Sequence, residues 1–310
     1  MANFLVLLFM FAAFFGGSGL GLSAAQAAKI KVAATTGTLG ALTAEIGGEL
    51  VEVTTLSAPS EDPHYVDARP NLVLVLNQAQ LLVATGLELE IGWLPNLRAS
   101  ARNPEIGVGG RGYWEASTAL SHLADVPQGK VDRAQGDIHP GGNPHFLYDP
   151  RAGAEVAIGL GTKLAEIDPA NAAAYVMRAQ SVAAACRKLA ADEQARFGAL
   201  PAEKRVHVTS HASWPYLLNW LALTETATVE PKPGIAPSPA HVADVLGRMR
   251  GAGVKALLQE EFYPRGTSEK LVQLAGSKMV VVHGAARPGE ETYTDYVRHI
   301  AEALYAAISG

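Results

Sequence analysis

The sequence predicts an α/β protein of two lobes, and three observations agree on it. Short β-rich runs alternate with helical ones in both halves, a long stretch without breakers lies between the halves, and 48% of the residues are hydrophobic, enough for two cores. Each element follows from local chemistry. Residues 1–28 carry no charge, run apolar over 4–15 and end at Ala25-Gln26-Ala27, so they read as a signal peptide for export with a small-x-small cleavage site, although no Lys or Arg precedes the apolar run. A membrane anchor needs about 18 to 20 apolar residues, and Gly16, Gly17, Ser18 and Gly19 interrupt this run first. The single cysteine, Cys186, allows neither an acylated leader nor an internal disulfide, which leaves a soluble exported protein held by packing alone.

Residues 29–167 form the first lobe, with strands expected at 30–34, 51–56, 81–84 and 106–108 and helical signals between them. A helix over 150–166 closes it. The linking segment, 168–198, begins with Asp168 as N-cap and Pro169 in the first helical position, then runs alanine-rich to about Arg196. Such a helix spans roughly 40 Å at 1.5 Å per residue and reads as a strut between lobes. Residues 199–310 repeat the architecture, with strands at 205–209, 227–230, 256–259 and 279–282 and helices at 238–251 and 267–275. The 25 basic and 30 acidic residues include no run of five like charges, which excludes a nucleic-acid stripe or polybasic membrane patch and leaves a small molecule or ion as partner.

Three histidines in look-alike settings point to the ion. His64 lies in Glu-Asp-Pro-His-Tyr, His145 in Gly-Asn-Pro-His-Phe and His211 in Thr-Ser-His-Ala-Ser. Neutral imidazoles gathered by folding hold zinc or a similar transition metal. Asp67 and Asp149 follow the two Pro-His-aromatic triplets and are expected to hold the second ring nitrogens. His211, His283 and Glu260 fall at the carboxyl ends of predicted strands, where open parallel sheets bind ligands. None of His122, His207, His241 and His299 follows a strand at the predicted rim, and they read as structural. A zinc hydrolase using the same site is the rival reading, but it requires an open position and a base, and no His-Glu-x-x-His signature occurs.

Asp62-Pro63-His64, Gly86-Leu87-Glu88-Leu89-Glu90 with Trp93-Leu94, Asn143-Pro144-His145-Phe146 with Asp149-Pro150, Ser210-His211-Ala212 with Tyr216, Gly234-Ile235 with Ser238-Pro239, and Tyr293 follow one another in an order that resembles the zinc/manganese solute-binding proteins of bacterial ABC transporters, the ZnuA-like group of cluster A-I. The resemblance implies two lobes, each a four-stranded parallel sheet with flanking helices, joined by one long helix. It further implies a divalent metal held between them, capture instead of turnover, and delivery to an inner-membrane ABC permease. A periplasmic metallochaperone is a further candidate partner, the protein is expected to be a monomer, and an adhesin-like family member is an alternative. By the resemblance His64 and His145 are the first lobe's ligands and His211 the third, where manganese members have glutamate; this favours Zn2+ over Mn2+. The fourth position is assigned to His283, where the family often has aspartate, with Glu260 as the alternative. The Gly129 to Gly142 loop carries only His139, expected to be solvent-exposed. A long helix packed on both lobes should restrict closure to small shifts, and affinity should fall as pH drops below about 6.5 because coordinating imidazoles must be deprotonated.

Overall fold

A computed structural model describes residues 28–127, 138–232 and 234–310. The predicted export signal lies outside them except for Ala28. The first half contains β1 (Ile30–Ala34), α1 (Gly37–Gly47), β2 (Val51–Thr55), α2 (Pro70–Gln78), β3 (Leu81–Ala84), α3 (Leu94–Ala101), β4 (Tyr113–Glu115) and α4 (Pro150–Ile167). After α5 (Ala172–Gly198) come β5 (Val206–Thr209), α6 (Pro215–Trp220), β6 (Thr224–Thr228), α7 (Pro239–Gly251), β7 (Ala256–Glu260), α8 (Gly266–Ala275), β8 (Lys278–Val282) and α9 (Tyr293–Ser309). The strands build two four-stranded sheets, ordered β2-β1-β3-β4 and β6-β5-β7-β8, with every pairing parallel. Each order reverses direction beside its first strand. The resulting crevices open at the carboxyl ends of the strands, the usual place for a ligand in such sheets.

Central strands are apolar because both faces are covered: β3 is buried along its whole length, as is β7. Helix α5 buries Tyr175, Ala179, Val182, Cys186, Leu189, Glu193 and Phe197, a stripe spaced by three and four residues, and packs against α1, α4 and α9. One continuous apolar core therefore contains side chains from both sheets, among them Leu42, Val83, Leu160, Leu258 and Leu304. Lobes that share a core resist separation, since opening them would expose side chains whose burial is worth roughly 1.5–3 kcal/mol each. Among the described residues no helix is long and apolar enough to cross a membrane.

Three expectations are corrected. Residues 106–108 are not a strand: Pro104–Ile106 forms a 3-10 turn, Gly109 takes φ +78°, and a Cβ at Gly110 would lie 2.3 Å from the Glu105 carbonyl oxygen. Ile106 is fully buried and Val108 is 80% exposed, so the apolar pair marks a plug and a surface residue, and the fourth strand is β4 instead. The sixth strand lies three residues earlier than expected, at Thr224–Thr228, because this edge strand is polar, although Val229 and Glu230 still donate from their backbones to Thr209 and Ser210. Asp168 does not cap the long helix through the backbone. Pro169–Asn171 is a 3-10 turn, and the Asp168 carboxylate instead accepts from the Asn171 side chain at 2.7 Å and the Tyr175 hydroxyl at 3.0 Å.

Candidate metal centre

His64 and His145 are positioned by the same local device. In each X-Pro-His segment the side-chain oxygen two residues before the histidine accepts both its backbone N–H and its ring Nδ1. For His64 the acceptor is Asp62 Oδ1, at 3.0 and 2.8 Å. For His145 it is Asn143 Oδ1, at 3.0 and 2.9 Å. The intervening prolines stiffen the turn that folds each ring back on its partner. Trp93 Nε1 donates to the Pro63 carbonyl at 2.9 Å, anchoring the first loop on the start of α3. Buried Glu90 ties the neighbouring turn down, accepting from Thr35 Oγ1 at 2.6 Å and Thr85 N at 2.7 Å.

His211, just past β5, points its Nδ1 at Glu230 Oε2, 2.7 Å away and two residues past β6, and its ring stacks on Tyr263 at 5.0 Å. An oxygen acceptor on Nδ1 places the ring proton there and leaves the lone pair on Nε2. All three rings are held this way, and one ligand nitrogen from each of His64, His145 and His211 lies within 4.8 Å of the others. A four-coordinate zinc ion at roughly 2.0 to 2.1 Å keeps its ligand atoms about 3.4 Å apart, so a contraction of at most about 1.4 Å closes the set. His64 and His211 are buried, and His64 Nε2 has no hydrogen-bond partner among the described residues.

The surrounding charges suit a cation. Burial opposes ionisation of Asp62, but the hydrogen bonds from His64 together with the charges of His64 and His211 outweigh it and hold the carboxyl below its ordinary range. Burial likewise disfavours the charged form of His211; the Glu230 bond and the Glu260 and Asp62 carboxylates overcome it and raise the pKa. His145 is driven well below the usual imidazole value, first by burial and then by the other histidines. A cavity of about 50 Å³ adjoins the group, lined by His64, His145, Tyr148 and Glu260 among others.

Among the described residues neither candidate for the fourth position belongs to the converging set, and the two differ in burial. Glu260, at the end of β7, is 1% exposed, and its Oε2 is buried without a hydrogen bond among the described residues. Burial pushes its carboxyl up, against the pull of His211. His283 is not brought into the group: its side chain is 47% exposed, with Nδ1 3.0 Å from Glu261 and 3.2 Å from Arg287. His139 is half-buried, contrary to the expectation of exposure, with Nδ1 3.0 Å from the Leu87 carbonyl and its ring 5.4 Å from that of His64. The part of its loop before residue 138 lies outside the described residues. None of His122, His207, His241 and His299 joins the group; His207 is buried within β5, where desolvation lowers its pKa to about 4.

The expected partners of the ring nitrogens are corrected too. Asp149 caps α4 through Arg151 N at 2.8 Å and pairs with the Arg151 guanidinium, while Asp67 is exposed on its loop. The residues that hold the rings, Asp62, Asn143 and Glu230, were missed by sequence reasoning. Two of them stand in the repeated X-Pro-His motif and could have been found there, since an Asx side chain readily bonds the backbone two residues on. Glu230 leaves no local signal.

A family model described as "Zinc-uptake complex component A periplasmic" matches residues 32–307. The chain is 24% identical over 297 residues to the manganese ABC transporter substrate-binding lipoprotein PsaA of Streptococcus pneumoniae, covering 94% of this chain and 91% of that one. Its fold is similar to a crystal structure of ZnuA, with a TM-score of 0.76 at 19% identity over 91% of this chain and 100% of that one. It is similar as well to FpvC of Pseudomonas aeruginosa in complex with Mn2+, with a TM-score of 0.73 at 24% identity over 91% of this chain and 99% of that one.

Proposed function

This chain belongs to the family of zinc-uptake complex component A, solute-binding components of metal ABC transporters and not enzymes, and on that footing we propose that it captures Zn2+ in the periplasm after export by its leader and delivers it to an ABC-type permease. One observation carries the reading: three imidazoles, each with Nδ1 fixed on an oxygen, turn their other nitrogens toward a single point. Imidazole suits zinc, whereas manganese prefers oxygen ligands, so the three-nitrogen set favours zinc even though PsaA and FpvC are described with manganese. PsaA is described as a lipoprotein; here the single cysteine is buried in α5, which supports an unacylated protein. Elemental analysis of protein purified without added metal, followed by titration against a competing chelator, tests the proposal. One zinc per chain, bound tighter than manganese, is the expected result, and a preference for manganese overturns it.

For the fourth ligand, burial and the unpartnered Oε2 favour Glu260 over His283. A carboxylate beside three imidazoles still suits zinc. Glu260→Gln is therefore expected to weaken zinc binding by more than about tenfold, and His283→Ala by less than about threefold. The reverse order in a chelator competition would return the position to His283.

Protons compete for the same nitrogens. Because His211 has a raised pKa, its protonation begins above the ordinary value of about 6.5 and must be reversed for zinc to bind. Affinity is expected to start declining at a higher pH than it would for an ordinary imidazole, by up to about tenfold per unit once His211 is protonated. His145, with its depressed pKa, adds nothing to the loss in that range. An affinity unchanged between about pH 7.5 and 5 contradicts a site built on His211.

A further inference from the structure

Asn143 touches the machinery of two candidate ligands from opposite lobes. Its Oδ1 accepts from the backbone and ring of His145, as above, while its Nδ2 donates at 2.7 Å to the carbonyl of Ala212, the residue that follows His211, and at 3.4 Å to Asp125 Oδ2. The amide orientation is settled by chemistry: the His145 backbone N–H can only donate and the Ala212 carbonyl can only accept. The Asn143 backbone takes part as well, its carbonyl accepting from the Tyr216 hydroxyl at 2.9 Å, and that hydroxyl in turn accepts from Ala124 N at 2.9 Å. Asn143 is 8% exposed, so these bonds are shielded from water.

Comparison with Asp62 sharpens the role. Both residues perform the same task on the histidine two positions later, but Asp62 needs only to accept. At 143 a donor is needed too, for a bond that crosses between lobes, and only the amide supplies both.

Resting on the metal-site reading above, we propose that Asn143 is a positioning residue that clasps the two lobes at the site, holding His145 and His211 in register so that the three-nitrogen set is assembled before the ion arrives. Zinc capture by such a site is a single encounter without a preceding closure step.

Asn143→Asp separates this role from simple orientation of His145. The substitution keeps the acceptor for His145 and, as a carboxylate, makes that imidazole a stronger donor to metal, but it sets an oxygen against the Ala212 carbonyl and cuts the clasp. If orientation of His145 were the whole role, the variant would bind zinc at least as tightly as the parent. The clasp predicts the opposite. In stopped-flow mixing of full-length protein with Zn2+, the parent should show a rate linear in zinc concentration. The variant should show a rate that saturates, with affinity lower by about tenfold or more. Imidazole 15N spectra of the metal-free variant should retain the Nδ1–H form of His145 while His211 signals broaden or split, a signature that a general loss of stability would not produce. Linear capture at the parent's rate with undiminished affinity overturns the proposal. Should Asn143→Asp fail to fold, Tyr216→Phe, which cuts the parallel bond to the Asn143 carbonyl, must show the same saturation, and linear capture there overturns the proposal equally. Absence of zinc uptake by the parent would sink the metal reading and this one with it, whereas parent-like kinetics in the variants sink this one alone.

Discussion

Replacing His64 and His211 together by alanine is expected to abolish stoichiometric zinc binding. The pair removes one nitrogen from each lobe and leaves His145 as the only imidazole of the converging set. If the total binding free energy is on the order of 12 kcal/mol shared among four ligands, losing two costs about 6 kcal/mol, or roughly four orders of magnitude in affinity. The fold should survive. Asp62 still accepts from the backbone of residue 64, and Glu230 still accepts from Gly234 N at 3.0 Å. The metal-free double variant should therefore melt within a few degrees of the parent while equilibrium dialysis finds no bound ion. Retention of one zinc per chain would refute the site.

Gly153→Ala is expected to be strongly destabilising although it adds a single methyl group outside the site. A Cβ there would lie 2.2 Å from Tyr293 Cε1 and 2.3 Å from its hydroxyl. Tyr293 cannot step aside: it is fully buried, and its hydroxyl lies 3.0 and 3.1 Å from the carbonyls of Leu147 and Asp149, within hydrogen-bond reach of both. Displacing it combines overpacking, about 1–3 kcal/mol or more, with a lost buried hydrogen bond of about 1 kcal/mol. A total near 3 kcal/mol corresponds to a fall in Tm of about 6–12 °C for a chain of this size. The disturbed carbonyls belong to the turn that follows His145, so zinc affinity should fall as well. Gly247→Ala in α7 is the control, because nothing lies within 4 Å of the new Cβ and a mid-helix glycine is replaced. That variant should gain up to about 1 kcal/mol. Calorimetry showing equal melting of the two variants would disprove the packing account.

Most of the fold could be read from pattern. Leu81–Ala84 is a wholly apolar run between turn signals and becomes a buried central strand, and the alanine-rich stretch after Pro169 becomes the long helix. Pattern failed where burial and polarity parted company. Ile106 is apolar because it plugs a core from a turn, and Thr224–Thr228 is a strand at a sheet edge whose exposed positions ask for no apolar residue. In the site, the X-Pro-His repeat drew attention to His64 and His145, yet the aspartates after the motif were read as partners when the Asx residues before it hold the rings.

The amino-acid order alone determined the alternation of strands and helices, the strut between lobes and the candidate histidines, since each depends on residues within a few positions of one another, where covalent geometry and local periodicity act. Tertiary structure alone decided that Glu230 holds His211, that Asn143 reaches Ala212, and that Glu260 is buried with an oxygen unpartnered among the described residues while His283 turns to Glu261 and Arg287. These contacts join segments distant in the chain, and their distances are set by how two sheets pack around one shared core.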